Sequence, residues 1–176
     1  MKLRAGIIGL GRIASQYEDD IKARRFYPYL THAGMYSKHP GFQLVCGADI
    51  DELKVEQFSK MWGIERVYVD FLEMVANNKL DVISVCTHPD VHHKIVKALL
   101  GKVKVVFCEK PFMRNSDEIK DLINCARPST TKIMVNLYRE YDKSHISVRR
   151  MIQNKMFGRT VRFSAYYGKG LRNQGT

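Results

Sequence analysis

The sequence predicts an α/β chain built on a doubly wound parallel sheet, and three observations predict it. Short β-branched, apolar runs alternate with helix-like segments along the chain. Several of those runs are apolar throughout, as strands covered by helices on both faces must be. The first of them, Gly6-Ile7-Ile8, leads straight into a glycine turn, Gly9-Leu10-Gly11-Arg12-Ile13-Ala14.

The elements follow in order. Leu3–Ile8 reads as the first strand and Phe42–Ala48 as the second. Asp51–Met61 has helical spacing, with Leu53, Val55 and Phe58 available for one face. Val67–Val69 is a short strand and Phe71–Asn77 a short helix. Val82–Cys86 reads as a buried strand, followed by a helix over Val91–Leu100 and a strand over Val103–Cys108. Ser116 is placed to cap a helix running to Cys125, with Asp117 and Glu118 in its first turn. Lys132–Asn136 reads as a strand, Ser144–Asn154 as a helix and Thr160–Tyr166 as a closing strand. Gln16–Pro40, charged and aromatic, is too long for an ordinary connection and reads as an irregular functional or mobile loop. In such sheets ligands bind beyond the carboxyl ends of the strands. Chemistry is therefore expected just after residues 8, 48, 86, 108 and 136.

At 176 residues the chain can bury one good core. No apolar run approaches the roughly 20 residues that cross a bilayer, and the glycine-broken start does not read as a signal peptide. Cytoplasmic placement is the expectation. Cys46, Cys86, Cys108 and Cys125 form no Cys-x-x-Cys pair and suit a reducing compartment. The formal charge of +11 invites a nucleic-acid reading, but from Lys132 onward ten Lys/Arg stand against two Asp/Glu. That concentration fits acidic or phosphorylated ligands, or an acidic partner region, at least as well. Nucleic-acid binding through this tail would weaken steeply with salt in a filter-binding assay.

The candidate sites sit at the expected strand ends. The turn Gly9 to Ala14 has the spacing of a dinucleotide phosphate turn, in which glycines let the backbone approach a pyrophosphate. Its acidic partner is usually about 20 residues on, where Tyr29-Leu30-Thr31 offers no carboxylate. Asp49, 38 residues after Gly11 and at the end of the second strand, is the better candidate if Gln16–Pro40 is an insertion. A carboxylate there accepts from adenosine ribose hydroxyls and repels a 2′-phosphate, which favours NAD over NADP, although Lys54 or the basic loop (Lys22, Arg24, Arg25) could still reach a phosphate. The competing reading of Asp49 is a helix-capping aspartate. In Thr87-His88-Pro89-Asp90-Val91-His92-His93, Pro89 breaks the helical spacing of a zinc pair, so no metal is expected and a cleft-lining loop is the better reading. Glu109-Lys110-Pro111 follows the next strand, where a lysine can hydrogen-bond a substrate hydroxyl and act as acid or base.

Taken together, GLGRIA, Asp49, THPDVHH, CEKPF and VNLYREYD resemble the Gfo/Idh/MocA family of glucose-fructose oxidoreductase, inositol dehydrogenase and rhizopine-catabolism proteins. The resemblance runs from residue 3 to the last residue. It implies a Rossmann domain, read here as residues 1–155, then the start of an α/β substrate domain at 156–176. It implies NAD(P)-dependent chemistry at a hydroxyl-bearing carbon of a sugar, polyol or sugar nucleotide; no nucleic-acid or membrane partner is expected, and the full-length protein is expected to be a homo-oligomer. By motif match Gly9, Gly11, Arg12 and Ile13 hold the pyrophosphate, and Asp49 the adenosine ribose. Thr87, His88 and His92 line the cofactor cleft, Glu109 faces the nicotinamide end, and Lys110 is the catalytic lysine. The Lys110–Pro111 bond is expected to be cis.

Two departures stand out. The family commonly has two successive arginines where this chain has Arg139 then Glu140. It also places a catalytic histidine just beyond the point where this chain ends, with Asn173 standing where an aspartate is common. The chain thus reads as an amino-terminal part of a longer protein that binds a dinucleotide without turning over substrate. A non-catalytic, dinucleotide-sensing regulator on the same fold is the alternative, because fold does not fix function.

Overall fold

Six strands form one sheet: β1 (Leu3–Ile8), β2 (Phe42–Ala48), β3 (Val67–Tyr68), β4 (Val82–Val85), β5 (Val105–Cys108) and β6 (Lys132–Val135). Their order is β3-β2-β1-β4-β5-β6, and all five pairings are parallel. The structure, a computed structural model, describes residues 1–19, 21–25, 27–164 and 166. It divides into two compact units, Met1–Asn136 and Leu137–Thr176, and the sheet belongs to the first.

Helices cover both faces, as the apolar strands require. α2 (His32–Lys38) and α3 (Glu52–Trp62) pack Ala33, Tyr36, Val55 and Phe58 against Ala5, Ile7, Leu44 and Val82. α4 (Phe71–Asn77), α5 (His92–Leu99) and α6 (Ser116–Ala126) bury Met74, Ile95, Val96, Leu99 and Leu122 against Ile8, Cys46, Ile83, Val85 and Val106. The two core clusters divide along each strand as its side chains alternate between faces. β1 hydrogen-bonds β2 on one side and β4 on the other. The winding therefore reverses between β1 and β4, and the crevice at that point lies beyond their carboxyl ends.

Local chemistry sets the element ends. α3 begins at Asp51, whose carboxylate accepts from Leu53 N at 3.0 Å, and ends at Gly63 in the left-handed region. Val55 and Phe58 are buried in it, but Leu53 is 69% exposed: it lies two residues before Val55, on the opposite side of the helix. α6 is capped by Asn115 rather than Ser116. Asn115 Oδ1 accepts from Asp117 N at 3.0 Å and Glu118 N at 2.9 Å, while Glu118 accepts from Arg114 N at 3.0 Å.

Gln16–Pro40 is more ordered than its composition suggests. The turn after β1 opens a single π-helical turn, Arg12–Gln16, then a 3₁₀ turn, Tyr17–Asp19, and the short α1 (Ile21–Arg24). α2 follows, capped by Thr31, whose hydroxyl accepts from Gly34 N at 2.9 Å. The detour is fastened to α2 by buried Glu18. Its carboxylate accepts from Thr31 Oγ1 at 2.8 Å and pairs with Lys38 at 2.6 Å and Arg24 at 3.4 Å. Burial pushes the Glu18 carboxyl up, but the bonds from Lys38 and Thr31 outweigh it and hold the group below its usual range.

In the second unit, α7 (Lys143–Gln153) is capped by Asp142, which accepts from Ser144 N at 2.9 Å and His145 N at 3.2 Å. The strand expected over Thr160–Tyr166 is not formed: its described residues, 160–164 and 166, have no regular structure. Val161 and Phe163 are 83% and 73% exposed, and among the described residues no strand pairs with this segment to give the neighbour that β structure requires. Among the described residues, no helix is long and apolar enough to cross a membrane.

Candidate functional site

A cleft of about 460 Å³ opens at the carboxyl ends of β1, β2 and β4, lined by Gly9, Gly11, Asp49, Lys54, Thr87 and His88 among others. Its floor is the turn after β1. Gly9 has φ of +86°, and a Cβ there would stand 2.7 Å from Thr87 N. Gly9 thus lets β1 pass the end of β4. Gly11 serves differently: its φ of −74° suits any residue, and a Cβ there would meet no protein atom within 4 Å. The space above it belongs to the cleft. Arg12 and Ile13 are exposed on the rim, the Arg12 guanidinium lying over the Tyr17 ring at 4.4 Å.

Asp49 stands beside this turn as the insertion reading requires. One oxygen accepts from Leu10 N at 2.7 Å and the other from Asp51 N at 3.0 Å, with Lys54 at 4.0 Å. It both closes the glycine turn and faces the cleft. Lys54 is also held 3.4 Å from Asp51. The capping of α3 falls to Asp51 instead.

The three histidines after β4 have three separate partners. His88 is exposed and pairs with Asp90 at 3.0 Å. His93 meets Asp121 at 2.7 Å, alongside Lys97. His92 is fully buried and does not line the cleft. Its Nε2 lies 3.0 Å from the Thr87 carbonyl, and its Nδ1 3.1 Å and 3.2 Å from the carbonyls of Pro111 and Phe112. It clamps the cleft wall to the Lys110–Pro111 segment from behind. Thr87 does line the cleft, and its buried Oγ1 has no hydrogen-bond partner among the described residues.

Lys110 is exposed at the end of β5, and its bond to Pro111 is cis. Glu109 turns inward rather than toward the cleft and is 7% exposed. Its Oε1 accepts from His32 Nε2 at 3.0 Å and Asn136 Nδ2 at 2.5 Å, and its Oε2 from Lys110 N at 3.2 Å. Burial pushes this carboxyl up, but hydrogen bonds from His32 and Asn136 overcome it and hold the group below its usual range. A depressed carboxyl stabilises the fold above its unfolded value near pH ~4.3 and loses that contribution as pH falls through the folded value. The melting-temperature advantage of the native chain over Glu109→Gln is therefore expected to be full at pH 7 and to shrink below about pH 4. Thermal melts across that range measure it.

His32, Tyr36, Ser84 and Asn136 are neighbours of this site that sequence reasoning missed. One signal was available: Ser84 interrupts an apolar strand, and a buried hydroxyl there needs a partner.

The turn and cleft suit a dinucleotide. The open space at Gly11 admits a pyrophosphate against the backbone, and the unpartnered Thr87 hydroxyl has a group to gain from a ligand. The model of an oxidoreductase family with an NAD-binding Rossmann fold, GFO_IDH_MocA, matches residues 3–137. The chain belongs to the Gfo/Idh/MocA family.

Among its Gfo/Idh/MocA relatives, myo-inositol 2-dehydrogenase of Thermotoga maritima is 24% identical over 157 residues, 89% of this chain and 42% of that one. Trans-1,2-dihydrobenzene-1,2-diol dehydrogenase of Xenopus laevis is 26% identical over 168 residues, 96% of this chain and 47% of that one. The chain thus spans less than half the length of these curated relatives. The fold matches scyllo-inositol dehydrogenase of Lactobacillus casei, solved with NAD(H) and scyllo-inositol, at a TM-score of 0.74 and 21% identity. That match covers 90% of this chain and 43% of the other.

Proposed function

We propose that this chain is the cofactor-binding part of an NAD-dependent oxidoreductase acting on a hydroxyl-bearing carbon of a sugar, polyol or sugar nucleotide. One observation carries the reading: the glycine turn, Asp49 and Lys110 follow β1, β2 and β5 at the same edge of one parallel sheet. The myo-inositol 2-dehydrogenase among the relatives supports the substrate class.

The backbone of Gly9, Gly11, Arg12 and Ile13 would cradle the pyrophosphate, with the Arg12 side chain adding charge at the rim. The helix opened by this turn is one π-helical turn long, so the local N–H groups outweigh any long helix dipole. Asp49 would accept from the adenosine ribose hydroxyls, with Thr87 and His88 on the opposite wall. His92 supports that wall rather than touching the ligand. Bound NAD supplies the hydride acceptor. Lys110 would hydrogen-bond the substrate hydroxyl and share the acid–base work there with a further group, and Glu109 would hold the Lys110 backbone in place. The complete gene product is read as a homo-oligomer.

Titration with NADH and NADPH, followed by nicotinamide fluorescence, is expected to give NADH affinity at least ~10-fold tighter, about 1.4 kcal/mol. Equal affinities would defeat the NAD assignment, and absence of both would defeat the cofactor reading. In the complete gene product, Lys110→Ala is expected to lower hydride transfer from the responsive sugar or polyol by roughly 10²-fold or more, read as nicotinamide absorbance. Full activity in that variant would remove Lys110 from the mechanism.

A further inference from the structure

We propose that His32 is a positioning residue for Lys110: a buried hydrogen-bonded chain from Tyr36 through Ser84 and His32 ends on Glu109 and holds the lysine at the sheet edge. The inference rests on the acid–base reading of Lys110 given above.

The chain crosses three elements. Tyr36 and His32 come from α2, Ser84 from β4 and Glu109 from the end of β5. Tyr36 Oη lies 2.7 Å from Ser84 Oγ, Ser84 Oγ 2.8 Å from His32 Nδ1, and His32 Nε2 3.0 Å from Glu109 Oε1. None of the four is more than 7% exposed. Donor direction follows from counting protons. Burial pushes the Tyr36 phenol far up, so it keeps its proton. Among the described residues Ser84 Oγ is the one hydrogen-bond partner of that hydroxyl, so the phenol donates to Ser84. The single Ser84 proton is then free to point at His32 Nδ1, which leaves the imidazole proton on Nε2, facing Glu109.

Glu109 passes the constraint on. Its other oxygen accepts from the Lys110 backbone N–H, and Asn136 at the end of β6 completes its set of donors. An apolar set of side chains would fill the same space without desolvating a carboxylate. What the polar set adds is a fixed orientation for the residue immediately before the exposed lysine. The placement of α2 matters for the same reason. His32 is the first residue after the Thr31 cap, and Glu18 of the detour holds that cap. The detour thus bears on the lysine through one helix end.

The test compares His32→Leu, which removes both ring nitrogens, with His32→Gln, whose side-chain amide can still donate to Glu109. In His32→Leu the Glu109 carboxyl titration, followed by carbon NMR, is expected to move up by about one pH unit. Solvent exchange of the Lys110 amide is expected to quicken about tenfold relative to the β5 amides. NADH affinity should fall several-fold while ADP-ribose affinity, which depends on the glycine turn and Asp49, stays within about twofold. His32→Gln should restore most of each change. Should His32→Leu not fold, Ser84→Ala keeps the His32–Glu109 contact and should shift the same readouts in the same direction by less. A purely structural role predicts a lower melting temperature with unchanged Glu109 titration and unchanged relative exchange at Lys110; that result overturns the proposal. The NMR readouts need no cofactor. Failure of the native chain to bind ADP-ribose therefore defeats the functional reading separately.

Discussion

Gly9→Ala is expected to lower the melting temperature by roughly 10 °C, whereas Gly11→Ala, two residues on, should melt normally and bind the dinucleotide at least ~10-fold more weakly. The contrast comes from where each missing Cβ would go. At Gly9 it would meet Thr87 N at 2.7 Å and Cys86 C at 2.8 Å, both backbone atoms, in a residue whose φ of +86° already strains an L side chain. Neither strand can retreat, because Gly9 N donates to Ala48 O at 2.8 Å and Cys86 N to Ile8 O at 2.8 Å. Strain of about 1–3 kcal/mol plus the overlap gives a loss of at least ~3 kcal/mol. For a chain of this size that is a fall of roughly 10 °C in Tm. At Gly11 the backbone is in an ordinary extended region, so alanine should leave stability unchanged or slightly raise it. Its Cβ would enter the space a pyrophosphate needs, and NADH affinity is expected to fall by ~10-fold or more. Circular dichroism melts and nicotinamide fluorescence on both variants measure the two effects. Native affinity in Gly11→Ala would move the pyrophosphate away from this turn.

The strands were legible because their burial is written in composition. Leu3–Ile8 and Phe42–Ala48 have the bounds that their apolar runs imply. The strand-end placement of the glycine turn, Asp49, Thr87 and Lys110 was legible because strand-end positions follow once the strands are placed. α2 was not. Its seven residues, HAGMYSK, carry one helix-weakening glycine and bury a histidine and a tyrosine rather than aliphatic side chains. Nothing in its periodicity distinguishes it from the charged detour before it. Missing α2 hid His32, and with it the inward-facing state of Glu109, because a carboxylate at a strand end gives no sign of which way it turns. His92 shows the same limit. A histidine near a cleft has the same letter whether it touches the ligand or, as here, holds two carbonyl-bearing segments together behind the wall.

Asp49 offers the sharpest separation of fold from selectivity. Its carboxylate binds Leu10 N and Asp51 N, and hydrogen bonds to a charged group contribute about 1.5–3 kcal/mol each. Asp49→Ala is therefore expected to lower stability by at least about 3 kcal/mol and to loosen the glycine turn. NADH affinity should fall by roughly 10- to 100-fold, the loss of one such bond to a ribose hydroxyl. NADPH should lose less, since the charge opposing its 2′-phosphate is gone and Lys54 is released from one of its two carboxylates. The NADH-to-NADPH ratio narrows as a result. Asp49→Asn divides the two roles. Its amide oxygen can still accept from Leu10 N, so the melting temperature should return most of the way, but the negative charge is absent and the cofactor ratio should stay narrowed. Fluorescence titrations with both cofactors, alongside thermal melts, measure the pair. A ratio that Asp49→Ala leaves at its native value would place recognition of the ribose elsewhere. A ratio that follows the melting temperature back up in Asp49→Asn would show that Asp49 selects the cofactor through the shape of the turn rather than through its charge.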